Sequence, residues 1–150
     1  MRQIVIQNER QYKITQTKLR DLLLDRATLD LPDPDLHPRL ILARKNSLNI
    51  LIGELEQEIA EYDRLKSGQI NKWPISSLQD LPNVMIKARI AVGMTQKELA
   101  EKIGVQEQQI QRYEANNYRA VGFERLQEVM SALDIRISQA VMQLGTGNLD

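Results

Sequence analysis

Hydrophobic and polar positions divide the chain into three stretches of different period. From Asn8 to about Ala27 the residues are polar and helix-favouring, with Tyr12, Ile14, Leu19, Leu22 and Leu23 forming one apolar side. LDLPDPDLHP follows, and three prolines within seven residues exclude a continuous helix. Pro38 stands where the next helix begins, at a position that needs no amide donor. From Leu40 to Lys66, Leu48, Ile52, Leu55, Ile59 and Tyr62 recur at alternating spacings of four and three, a coiled-coil seam. Two helices joined by a short proline-rich turn predict an antiparallel, coiled-coil-like hairpin over residues 1–67. Its core is small for an isolated unit. The seam therefore closes on the first helix, on the C-terminal part, on a second copy or on a partner.

Periodicity breaks over SGQINKWPISS. Gly68, Asn71, Pro74 and paired serines mark residues 68–77 as a linker, with Trp73 anchoring it to a domain surface. A second folded part, residues 78–150, then starts with Leu81, Val84, Ile86 and Ile90 as the apolar side of its first helix. Phe123, Leu126, Val129, Met130 and Leu133 mark a later one. IRISQAVM alternates at Ile135 and Ile137 before Val141, which predicts a short strand over 135–142. A lone strand has an open edge, so the same strand of a second subunit is its expected partner.

Between these lies TQKELAEKIGVQEQQIQRYE, residues 95–114. Thr95 followed by Glu98 makes a capping box. Leu99, Ala100 and Ile103 form a buried stripe, and Gly104 suits a left-handed helix stop. Val105 plugs the gap between helices, and Ile110 and Tyr113 face inward from the second one. Gln106, Glu107, Gln108, Gln109, Gln111 and Arg112 are left outside. Two short helices around one glycine, the second with amides outward, form a helix-turn-helix pattern. In that geometry the first turn of the second helix meets base edges. Glutamine can bond adenine N7 and N6 together, and Glu107 either accepts from cytosine N4 or faces away. Arg112 suits a phosphate or a guanine. Glu114, at the end of that helix, suits a structural role. Lys87 and Arg89 read as solvated side chains.

With Thr-Gln, Leu-Ala, Gly-Val, Ile, Tyr-Glu and Asn116 in register, residues 80–135 resemble the Xre family, the class that includes the lambdoid phage repressors and Cro. The resemblance implies a mainly α fold whose C-terminal domain has four or five helices. It implies base contacts from Glu107, Gln108 and Gln109, with Gln106 flanking them. It implies a phosphate held at Gln96, and a backbone grip from the loop of Asn116, Asn117, Tyr118 and Arg119.

Charge changes this picture. The whole chain is neutral, and residues 80–150 hold eight Lys and Arg against nine Asp and Glu, a formal −1. Phosphate attraction supplies most non-specific affinity, so a single copy should bind DNA weakly, and a homodimer is expected. Catalysis has little support. There is no cysteine, no phosphate-cradling glycine loop and no His-Glu-Xaa-Xaa-His pattern. The one histidine, His37, lies in the proline-rich turn as a loop or helix N-terminal residue, and Asp33 and Asp35 suit the same helix start. No cofactor or metal is expected. Apolar runs fall short of the roughly 18 residues that cross a bilayer, and the first residues lack a signal-peptide core. The expectation is a cytoplasmic regulator, a repressor of double-stranded DNA operators. The alternative is an antitoxin whose hairpin clamps a cognate toxin protein while the helix-turn-helix autoregulates its promoter.

Overall fold

Proline placement and two side-chain caps produce the hairpin. In the computed structural model, which describes residues 4–145, helix α1 spans Glu9–Thr28 and α2 spans Pro38–Lys66. Asn8 starts α1 by accepting from the Gln11 amide at 2.9 Å. His37 starts α2, its Nδ1 accepting from the Arg39 amide at 3.1 Å. The single histidine is thus a helix cap.

Along α2 the seam is spent on the chain itself. Ile52, Leu55 and Tyr62 are buried, Leu48 and Ile59 half-buried, and α1 packs against them with Leu19, Leu22 and Leu29 half-buried. Polar clamps fix the register: Lys45 pairs with Asp30, and Arg26 Nη1 donates to Asn49 Oδ1 at 2.8 Å. Tyr12 Oη donates to Asp63 Oδ1 at 2.7 Å, and its ring stands 5.0 Å from that of Tyr62.

The second part is four helices: α3 (Leu81–Ala91), α4 (Gln96–Ile103), α5 (Glu107–Ala115) and α6 (Phe123–Ala132), with one 3-10 turn at Leu78–Asp80 leading in. Met85, Ile86, Ile90, Leu99, Ala100, Ile110, Val129 and Leu133 form its core. Tyr62 and Leu65, from the end of α2, belong to the same core, so the hairpin is rooted in the helix-turn-helix part. Lys87 Nζ and Glu61 Oε1, 3.1 Å apart, tie α3 to α2 across the boundary. Trp73 lies half-buried against this core, and Gly68, at φ 72°, carries the chain out of α2 within reach of the Ala91 carbonyl.

Alternation does its work at the other end of the chain from the one predicted. Ile4 and Ile6 point into the core with Val5 outward, and the Ile4 amide donates to Asn83 Oδ1 at 3.0 Å. Each such isoleucine contributes about 1.5–3 kcal/mol of burial. The strand expected over 135–142 is not there: the described residues contain helices and no strands. Asp134, at φ 53°, turns the chain out of α6, and the Ile135 amide closes on the Met130 carbonyl at 2.9 Å. Ile135 packs on the core, while Ile137 and Val141 are 60% and 82% exposed. A strand needs a ladder partner, and among the described residues no other strand is there to pair with it. Among the described residues no helix is long and apolar enough to cross a membrane.

Candidate nucleic-acid interface

Local chemistry sets the two helices of the turn. Thr95 Oγ1 accepts from the Glu98 amide at 3.1 Å while Glu98 Oε2 accepts from the Thr95 amide at 2.8 Å, a reciprocal capping box. Gly104 adopts the left-handed region at φ 73°, and the Val105 amide reaches back to the Ala100 carbonyl at 2.9 Å. Leu99, Ala100 and Ile110 are buried between the helices, with Ile103, Val105 and Tyr113 packed against them.

That packing orients the polar side of α5. Gln106 is its N-cap residue, with extended backbone and a side chain that makes no capping bond. Gln106, Glu107, Gln108 and Arg112 are exposed, and Gln109 is half-buried. Glu107 Oε1 sits 3.4 Å from Gln111 Nε2, one turn further on. The loop beyond α5 is held by its own anchor. Asn117, Tyr118 and Ala120 all have positive φ, of 53°, 55° and 58°. Such conformations cost of order 1–3 kcal/mol each and persist only where the surroundings impose them. Here Tyr118 supplies that constraint: its ring is buried beside Tyr113, centroids 5.8 Å apart, and its amide donates to the Tyr113 carbonyl at 2.7 Å. Burial, reinforced by Glu114, pushes the Tyr118 phenol well above its ordinary range. The anchored loop presents Asn116 and Arg119 to solvent, with Asn117 half-buried and its Oδ1 enclosed without a hydrogen-bond partner.

Beneath this surface lies a polar core that sequence reasoning resolved only at Glu114. Glu114 is 0% and Arg89 3% exposed, so Arg89 is not solvated as expected; neither is Lys87, buried against Glu61. Arg89 Nε and Nη2 each donate to a Glu114 carboxylate oxygen at 2.7 Å, a two-pronged ion pair. The remaining Arg89 donors go to the carbonyls of Met94, at 2.9 Å, and Gln7. Gln7 Nε2 in turn donates to the Glu114 carbonyl at 3.2 Å. Gln96 joins the same cluster at 4% exposure: its Nε2 donates to Glu114 at 2.9 Å and its Oε1 accepts from Asn8 Nδ2 at 2.9 Å. The residue that the resemblance places beside a phosphate therefore has its amide committed inside the protein in this structure. Gln7 and Asn8 carried no sequence signal for this role, since their partners lie 107 and 88 positions away.

Asn8 also brings the hairpin to the edge of the helix-turn-helix, through its bond to Gln96. A cleft of about 400 Å³ runs from Glu9, Arg10 and Lys66 of the hairpin to Gln96, Glu107 and Gln111.

Two comparisons are negative: no curated protein and no solved structure matches the chain. The family comparison is positive and falls on α3 to α6, where residues 85–139 match the Helix-turn-helix family. With the capped α4, the glycine turn and the exposed amides of α5, residues 85–139 are a DNA-binding helix-turn-helix domain of the Xre/Cro-like class.

Proposed function

We propose that the protein is a sequence-specific transcriptional repressor that binds double-stranded operator DNA as a homodimer, with α5 in the major groove. The observation that carries this reading is the exposure of Gln106, Glu107 and Gln108 on the first turn of a helix whose other side is locked by Ile110 and Glu114. A rigid helix with unspent amides at its N-terminal end has the chemistry to discriminate bases. In this reading Gln108 and Gln109 meet adenine edges, Glu107 accepts from a cytosine, and Arg112 takes a guanine or a phosphate. Asn116, Asn117 and Arg119 hold the backbone. Gln96 reaches a phosphate only through Nε2, which already donates to Glu114, since its Oε1 accepts from Asn8 and cannot bond an anion. Residues 78–150 are the DNA-binding unit, 68–77 the connection, and 1–67 the pairing or partner-binding unit. The site of action is the cytoplasm.

Gel shifts on an operator obtained by selection from random duplexes test the docking. Gln108→Ala should lose about 1–3 kcal/mol at one base pair and relax specificity there. Arg119→Ala should weaken all sites alike and lower the salt slope by about 1. Unchanged affinity in both variants sinks this orientation of α5.

A second reading, antitoxin action, draws on the free end of the hairpin, where Leu24, Leu31 and Leu42 are exposed. Apolar side chains grouped there suit contact with another protein. A toxin encoded beside this chain would copurify with it, and loss of that copurification on Leu42→Asp would support the clamp.

A further inference from the structure

Because the coiled-coil seam is consumed by α1, whatever pairs two copies through the hairpin must use another side of α2. A second stripe runs beside the first. Leu40, Arg44, Ser47, Leu51, Glu54 and Glu58 repeat at spacings of four and three, and all but the half-buried Glu58 are exposed. Leu51 is 47% exposed and its neighbour Ile50 is 65% exposed, at the middle of the 29-residue helix.

Up to Asp63 the charges along α2 are segregated about that same midpoint, with Arg64 and Lys66 following only in its last turn. From Pro38 to Ile52 the ionisable side chains are Arg39, Arg44 and Lys45, all basic. From Gly53 to Asp63 they are Glu54, Glu56, Glu58, Glu61 and Asp63, all acidic. Lys45 is taken by Asp30 and Glu61 by Lys87. Arg44 and Glu58, both on the stripe, enter no ion pair among the described residues. They stand seven residues either side of Leu51, about 10.5 Å along the axis in each direction.

We infer that a second copy of this chain docks along α2 in antiparallel register about Leu51, each Arg44 facing Glu58 of the other copy. Only an antiparallel, two-fold arrangement sets basic half against acidic half twice over; a parallel one would stack like charges. Leu51 then meets itself on the axis with Ile50 beside it, and Ser47 lets the helices approach closely. The roots of the two helix-turn-helix domains, at Leu65, fall about 42 Å apart along the pair. This inference rests on the homodimeric reading above and names the surface that reading requires.

Sedimentation velocity on the full chain and three variants tests it. Wild type should be dimeric at micromolar concentration. Arg44→Glu and Glu58→Arg should each weaken association about tenfold, because two pairs turn from attraction to repulsion. The double variant should recover it, which a purely structural role for either residue would not produce. The chain has no cysteine, so Leu51→Cys should form an intermolecular disulfide under mild oxidation while Glu56→Cys, on the far side of α2, should not. A dimer that ignores both charge reversals and leaves Leu51→Cys uncrosslinked overturns this surface but keeps the homodimeric reading. Wild type that stays monomeric, and binds operator as one chain per site, overturns both.

Discussion

Replacing Glu114 by Gln removes one charge from the most enclosed ion pair among the described residues and keeps the shape. In the native state Arg89 directs two donors at the carboxylate, both at 2.7 Å, and Gln96 directs a third at 2.9 Å. Glutamine offers one acceptor where the carboxylate had two. Its own amide nitrogen must then face a guanidinium or the Gln96 amide, donor against donor. Breaking a buried pair by removing one partner costs about 3–5 kcal/mol, since the remaining charge stays desolvated. The opposed donors place the loss in the upper half of that range. Against a typical total of roughly 5–15 kcal/mol this is a large fraction, and for a chain of this size it lowers the melting temperature by roughly 10–15 °C. The measurement is urea denaturation followed by far-ultraviolet circular dichroism, with thermal melts alongside. Arg89→Met combined with Glu114→Leu should regain only part of the loss: no charge is orphaned, but the Met94 and Gln7 carbonyls and the Gln96 amide lose their partners. A loss below about 1 kcal/mol for Glu114→Gln would refute the argument that the pair is desolvated.

Three smaller effects follow from local geometry. Thr95→Ala deletes one half of the capping box and should cost about 1 kcal/mol, read as a lower urea midpoint with unchanged slope. Gly104→Ala should also cost about 1 kcal/mol, and the cause is purely conformational: φ is 73° and an added Cβ would meet nothing within 4 Å. A larger loss would mean that the turn is packed more tightly than it stands here. Asp63, hydrogen-bonded to Tyr12, pushes that phenol up to about 12 from an ordinary value near 10. The folded-state value is the higher one, so this bond's contribution is fully present below pH 10 and is lost as pH rises through about 12. Tyr12→Phe should therefore delete a phenolate step near pH 12 from an ultraviolet titration, and persistence of that step would assign it to another tyrosine.

Where the sequence succeeded, the interactions span a few residues. The capping box, the glycine stop and the apolar stripe of residues 95–114 lie within two helical turns of their partners, so their spacing is their structure. The same holds for the hairpin, whose break is set by Pro32, Pro34 and Pro38 and whose seam repeats along one helix. Alternation misled at 135–142 because it records which side chains differ and not whether a ladder partner exists. The homologous signal at Ile4 and Ile6 is two residues long, too short to stand out, yet the core closes over it.

Residue pattern alone therefore set the helices, the turn and the outward amides of α5, because backbone sterics and amphipathic burial act locally. Tertiary structure alone decided that Arg89 and Glu114 are sealed together, that Gln96 faces inward on Asn8, and that the coiled-coil seam is used up by α1. Those outcomes join residues as far as 88 positions apart. They depend on which surfaces exclude water once the hairpin and the four-helix part have met, a quantity that no window of sequence contains.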